Sequence, residues 1–160
     1  MLCMLNGCAS DESDGDGAAS GDALVPYRSM PVGSAPPLPD QSSLRDLSVT
    51  VEDAPEVVVP GEPIEFVVAI RNPAARPVEL DPCPAYLMSF GESSISIGPV
   101  VSLLNCDEAD PIPAHGAERF EMRIGVPREF QLSGGGSIYW RLEPSIADAS
   151  SGFIPVQPTD

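Results

Sequence analysis

V-V-V-P-G-E-P-I-E-F-V-V-A-I-R-N-P-A-A-R-P-V-E-L, residues 57–80, predicts two β-strands and the turns that frame them. Pro60-Gly61 makes the first turn, because proline presets φ and glycine adopts positive φ. Apolar residues then occupy every second position from Ile64 to Ile70, the period of a strand with one face in a core. Asn72-Pro73 ends the strand, since the residue before proline is pushed out of the helical region. Residues 77–80 restart the pattern and predict a second strand.

The same period of two recurs along the chain between turns rich in proline and glycine. Alternation predicts further strands around residues 47–51, 86–90, 95–97, 100–104, 120–126 and 138–142, and two weaker pieces at 57–59 and 152–156. Gly134-Gly135-Gly136 is interpreted as a loose turn. Seven to nine short strands at this spacing predict an all-β fold, an antiparallel β-sandwich.

Composition narrows the classes of partner. The 160 residues fit one domain with a tail. Twenty-four Asp and Glu stand against eight Arg and Lys, all of them Arg, which gives a formal net charge of -16. Phosphate backbones repel such a polyanion, so we expect no nucleic-acid binding. Anionic membrane surfaces repel it as well, so membrane attachment would need a lipid.

The N-terminal part predicts a tether rather than a domain. Residues 9–22 are small or acidic and lack any large apolar side chain, so they cannot bury a core. Residues 23–39 are richer in proline and are also predicted to be disordered. We therefore expect three segments: residues 1–8 as the end of a signal peptide, 9–44 as a disordered acidic and Pro-rich tether, and 45–160 as the sandwich domain.

Leu5-Asn6-Gly7-Cys8 resembles the lipobox of bacterial lipoproteins. It departs from the usual pattern at Asn6, where a smaller residue is commoner. The resemblance implies that Cys8 is acylated, that the protein is extracytoplasmic and anchored to the cell membrane, and that the true start codon lies upstream of Met1. The alternative is an ordinary N-terminal segment with two stray cysteines.

Motifs within the domain carry a second resemblance. The Pro-Gly turn before I-x-F-x-V-x-I and the P-x-H-G turn at 113–116 before F-x-M-x-I resemble immunoglobulin-like β-sandwich modules of bacterial secreted proteins. D-P-C-P-A-Y at 81–86 with L-N-C at 104–106 resembles a family of uncharacterised actinobacterial exported proteins. The resemblance implies an immunoglobulin-like fold and surface scaffolding. Trp140 follows both domain cysteines instead of lying between them, unlike the pattern of antibody domains.

Cys83 and Cys106 stand in loops at strand ends, 23 positions apart. In an exported protein this favours a disulfide. Free thiols or a metal pair are the alternatives, although zinc would need two further ligands and the domain offers only His115. If Cys3 leaves with the signal peptide and Cys8 is acylated, an even number of cysteines remains.

The sequence predicts no catalytic residue, no enzyme activity and no cofactor. The sequence has one histidine, His115, and no nucleophile-elbow serine pattern with which it could form a Ser-His-Asp triad. Asp107, Glu108 and Asp110, with His115, form a possible binding loop, for which a solvated acidic loop is the alternative.

For two further sets of side chains, the sequence predicts a structural role rather than a ligand-binding one. Met88 and Met122 are predicted to fill the core rather than to bind copper. Arg119, Arg123 and Arg141 are predicted to point outward and to form cross-strand ion pairs with glutamates.

These observations lead to two hypotheses. The first is a lipid-anchored, extracytoplasmic, non-enzymatic binding or interaction module of the cell envelope, whose partner is another envelope protein. The alternative is a small-ligand or metal-ion-binding envelope protein that uses the acidic loop around Cys106 and His115.

Overall fold

Two β-sheets face each other in the computed structural model, which describes residues 24–28, 30–31, 44–92, 95–130, 134–143 and 147–158. The strands in chain order are β1 (Leu24–Val25), β2 (Met30–Pro31), β3 (Ser48–Glu52), β4 (Ile64–Arg71), β5 (Ala85–Gly91), β6 (Ser96–Leu103), β7 (Ala117–Ile124), β8 (Gly135–Leu142), β9 (Ala147–Ser150) and β10 (Ile154–Pro155). A short 3-10 helix, Cys106–Glu108, follows β6.

The first sheet has the order β1-β7-β4-β3, and the second has the order β10-β8-β5-β6-β2 with β9 also paired to β8. All of these pairs are antiparallel except β1 with β7. The predicted fold class, an all-β immunoglobulin-like sandwich, is confirmed.

Strand β4 lies at the centre of the first sheet, between β3 and β7. Phe66 is opposite Met122, and Ile64 is opposite Ile124. These side chains are buried, as the two-residue period predicts for one face of a strand. Met122 is therefore a core residue.

The second sheet supplies the aromatic half of the core. Tyr86 and Trp140 stack with ring centroids 5.6 Å apart, and Met88 is opposite Trp140 across β5 and β8. Phe90 packs near Phe130, with centroids 6.1 Å apart. Offset aromatic pairs at such distances stabilise a core beyond the area that they bury.

The structure differs from the predicted tether at two short segments. Leu24–Val25 pairs with β7, and Met30–Pro31 pairs with β6 in the other sheet. The chain between them crosses from one sheet to the other, and Val25 is 3% exposed. Two-residue strands show no readable period, so local pattern could not place them. Apart from residues 24–28 and 30–31, residues 1–43, Cys3 and Cys8 included, lie outside the described residues.

Several predicted element bounds need correction. Residues 95–104 were expected to form two strands but contribute one, β6, whereas 57–59 and 77–80 supply only the isolated bridges Val58–Val156 and Val78–Ile112. Gly135 and Gly136, expected in a turn, begin β8 and pair with β10. Strand β9 was not predicted, because A-D-A-S has no large apolar residue to set a period.

Candidate functional site

The disulfide joins Cys83 and Cys106, with Cα atoms 5.7 Å apart, which confirms the prediction. Cys83 lies just before β5 and Cys106 just after β6, and the antiparallel pairing of these strands places Ala85 opposite Leu103. The two strand ends therefore bring the cysteines together. The bond fixes the loop that carries Asp107 to the end of the second sheet.

A cavity of about 210 Å³ lies beside the disulfide. Asp107 and Asp110 line it together with Glu79 and Asp81. Glu108 does not line this cavity, although its side chain is exposed nearby in sequence. The structure thus gathers two of the four predicted loop residues.

His115 is not part of that cavity. It is exposed in a turn, with a φ of 54°, and its backbone N–H donates to the carbonyl of Ala74 at 3.0 Å. Within the described ranges, no group of three or more His, Cys, Asp or Glu side chains is placed to hold a metal ion. His115 is therefore a turn residue, and the acidic loop does not form a metal centre with it.

Two buried titratable groups face the interior near this loop. Burial raises the pKa of Tyr86 to about 12, despite a side-chain hydrogen bond with Ser102 that lowers it. Burial and, to a lesser extent, the negative charge of Asp110 raise the pKa of Glu118 above its ordinary value. Glu118 is 7% exposed, and its position on β7 lies opposite Ile70 of β4 in the first sheet.

Ion pairs cover the outer face of the first sheet. Glu52 accepts from Arg71 Nη2 at 3.2 Å and from Arg119 Nε at 3.1 Å. Arg123 Nε lies 3.8 Å from Glu65 Oε1. These contacts confirm the predicted cross-strand ion pairs for Arg119 and Arg123.

Arg141 forms its ion pair with a glutamate close to it in sequence. It lies on β8 of the second sheet and contacts Glu143 two positions away, which raises the pKa of Arg141. Arg141 therefore does not share an outward face with Arg119 and Arg123. Sequence alternation shows which way a side chain points from its strand, but it does not show which sheet contains that strand.

A cavity of about 400 Å³ forms a groove on the first sheet. Glu65 and Val67 of β4 line it beside Glu121 and Arg123 of β7. Pro26 and Tyr27, which follow β1, also line the groove, and so do Phe66 of β4 and Met122 of β7. Asp53, directly after β3, lines one end.

Sequence reasoning missed this groove. The alternation of β4 and β7 did place Glu65, Glu121 and Arg123 outward. Nothing local showed that β4 and β7 are neighbours, because 53 positions separate Ile64 from Ala117 and the pairing is tertiary. Tyr27 was assigned to the tether, so it could not be expected at a cavity wall.

No protein-family model matches this chain, and no curated protein matches it. Among solved structures, it is similar to the CARDB domain of a Pyrococcus furiosus protein in complex with di-metal ions, at 13% identity and a TM-score of 0.42, covering 69% of this chain and 92% of that one. A superoxide reductase (neelaredoxin) from Ignicoccus hospitalis is similar at 14% identity and a TM-score of 0.40, covering 69% and 80%. A sporulation control protein from Bacillus subtilis is similar at 11% identity and a TM-score of 0.42, covering 71% and 50%. Such distant likeness concerns the β-fold alone and carries no argument about ligand or activity.

Proposed function

We propose that this protein is a lipid-anchored, extracytoplasmic, non-enzymatic binding module of the cell envelope. The observation that carries the proposal is the disulfide between Cys83 and Cys106. Disulfides persist in oxidising compartments outside the cytoplasm and are rare inside it. Of the four cysteines in the chain, this bond leaves Cys3 and Cys8, both upstream of the first strand.

The anchor is proposed at Cys8. Leu5-Asn6-Gly7-Cys8 has the lipobox order, and an acidic stretch follows it directly. Among the described residues, no helix combines the length and apolar character that a membrane crossing requires. Stable anchoring by acyl chains needs more than one chain, so we propose a diacylglycerol thioether with an additional amide-linked chain.

The binding role is supported by the groove on the first sheet, which at about 400 Å³ falls within the size range of ligand pockets. The metal-binding alternative would use the smaller cavity beside Cys106. The described residues hold no group of three metal-binding side chains there, so the geometry does not favour it.

The proposed membrane anchoring is tested by expressing the gene from its next upstream start codon and partitioning the lysed cells between detergent and aqueous phases. We expect the protein in the detergent phase, and we expect Cys8→Ser to move it to the aqueous phase. Cys3→Ser is the matched control and should leave partitioning unchanged, because that residue leaves with the signal peptide. A full-length product in the soluble cytoplasmic fraction, with Cys83 and Cys106 reduced on thiol titration, would overturn the proposal.

A further inference from the structure

We infer that the groove on the outer face of the first sheet binds a lysine- or arginine-rich segment of a partner protein. The inference rests on the proposed function, because it names the surface and the partner chemistry of that binding module. The groove is lined by Tyr27, Asp53, Glu65, Val67, Glu121 and Arg123 among others, and we call it the acidic groove.

One end of the acidic groove forms where strand β3 stops. Glu52, the last residue of β3, lies opposite Val67. Asp53 then takes a φ of 51°, which turns the chain away from β4. Within the described part of the chain, β4 from Phe66 back to Ile64 consequently has a paired strand on the β7 side only. The surface there is left open beside an exposed carboxylate.

The other end of the acidic groove is an aromatic wall. Leu24–Val25 pairs with β7, so the residues that follow, Pro26 and Tyr27, lie next to Glu121 of β7. The Pro26 carbonyl accepts a hydrogen bond from Asn105 Nδ2 at 2.9 Å. Tyr27 also packs against the core, so this wall is fixed by contacts on two sides.

The charges in the acidic groove are not balanced. Its lining has three carboxylates, those of Asp53, Glu65 and Glu121, and one guanidinium, that of Arg123. Arg123 lies 3.8 Å from Glu65 with both side chains more than half exposed, so their attraction is weak. Among the residues described, Asp53 and Glu121 form no ion pair.

A carboxylate on the same sheet face, just outside the groove, differs from Asp53 and Glu121 because it is paired. Glu52, just outside the acidic groove, is held by both Arg71 and Arg119. Arginines of this face thus pair with the carboxylate beside the groove, while no described arginine pairs with Asp53 or Glu121 within it.

A basic side chain with an aliphatic stem satisfies both features of the lining. The stem of lysine or arginine packs along the Tyr27 ring, and its charged end reaches Glu121 or Asp53. A net charge of -16 repels acidic partners and attracts basic ones. The chain has no lysine of its own, so a lysine that binds here comes from another protein.

The expected binding is weak and sensitive to salt. Each exposed ion pair contributes little to the affinity, and salt screens it further. A segment with several basic residues would add such contacts along the groove.

The test is an NMR titration of the full 160-residue chain with a synthetic peptide of alternating lysine and glycine. A glutamate–glycine peptide is the control ligand. We expect amide shifts at residues 27, 53, 65–67 and 121–123, lost at high salt, and none of them with the glutamate peptide. The double variant Asp53→Asn, Glu121→Gln should weaken binding roughly two- to thirtyfold, as the loss of two exposed ion pairs implies.

A matched variant separates this site from general attraction to a polyanion. Glu79→Gln with Asp81→Asn removes the same charge from the cavity beside the disulfide, and we expect it to change the affinity less than twofold. Equal weakening by the two double variants, shifts elsewhere in the molecule, or no binding of the lysine peptide would each overturn the inference. Partitioning into detergent does not depend on the groove, so a failure here and a failure of the proposed anchor are distinguishable.

Discussion

Asn105 Nδ2 donates a hydrogen bond to the carbonyl oxygen of Pro26 at 2.9 Å, across 79 positions of sequence. Asn105 is 4% exposed and directly precedes Cys106 of the disulfide. On the other side of Cys106, Asp107 lies 3.9 Å from Arg28. Both neighbours of one disulfide cysteine thus contact the segment that crosses between the sheets, although only the Asn105 hydrogen bond involves a buried side chain.

Asn105→Ala should release that segment. Loss of one hydrogen bond to a buried side chain should lower the free energy of unfolding by about 1 kcal/mol. Trypsin should then cleave after Arg28 faster than in the wild type, because cleavage needs local opening. Asp107→Asn is the control: its ion pair is exposed on both sides and should contribute little. Equal cleavage rates in Asn105→Ala and wild type would contradict the assignment.

Removing the disulfide should destabilise the whole sandwich. By the chain-entropy argument, Cys83→Ser with Cys106→Ser should lower the free energy of unfolding by roughly 3 kcal/mol, since the unfolded chain regains the freedom of a closed loop. Urea unfolding with and without a thiol reductant measures the same effect in the wild type. An unfolding midpoint that does not move on reduction would count against a stabilising role for this bond.

The core of the first sheet offers a direct check of strand facing. Phe66→Ala should cost about 3–5 kcal/mol and Ile124→Ala about 2–5 kcal/mol, because both leave cavities where side chains are almost fully buried. Val100→Ala, at a position that is 37% exposed on β6, is the control and should cost much less. If all three variants melt together, the inward faces of β4 and β7 are wrong.

Gly135 should not tolerate a side chain. Its φ is +152°, and an added Cβ would lie 2.2 Å from the carbonyl oxygen of Ile154 in the paired strand β10. Gly135→Ala should therefore destabilise the protein by more than about 1 kcal/mol. At Gly152, an added Cβ meets no atom within 4 Å, so Gly152→Ala serves as the control in the same thermal melts.

Glu118 should make stability depend on pH. Burial raises its folded-state pKa above the ordinary value of 4.5, so the folded protein holds this proton more tightly than the unfolded chain. Glu118 therefore favours folding most below pH 4.5, and this contribution is lost as the pH rises through the folded-state pKa.

Urea unfolding at a series of pH values tests this. The wild type should lose stability relative to Glu118→Gln as the pH rises above 4.5, and the variant should be the more stable of the two at neutral pH. Glu62→Gln, at an exposed turn position, should follow the wild type throughout. Parallel curves for wild type and Glu118→Gln would rule out a raised pKa.

Much of the fold could be predicted because its longest strands carry local patterns. The alternation from Ile64 to Ile70 depends only on one face meeting a core, and β4, β7 and β8 follow from it in type and facing. The disulfide could be predicted as well, since Cys83 and Cys106 stand in loops at strand ends of a chain that was expected to be exported. The acidic loop was identified, but its residues did not converge with His115, since a turn residue's position depends on distant contacts.

The sequence by itself determined the all-β class and the inward faces of the main strands, because a period of two is a local property. It also indicated the cysteine pair, because both cysteines stand in loops at strand ends. Only the tertiary structure decided that Leu24–Val25 and Met30–Pro31 close the sandwich, and that β4 lies beside β7 to form the acidic groove. Those features arise where residues far apart in sequence share one surface. Pairing of so few residues is stabilised by burial against a finished core, and the sequence of a two-residue strand holds no sign of it.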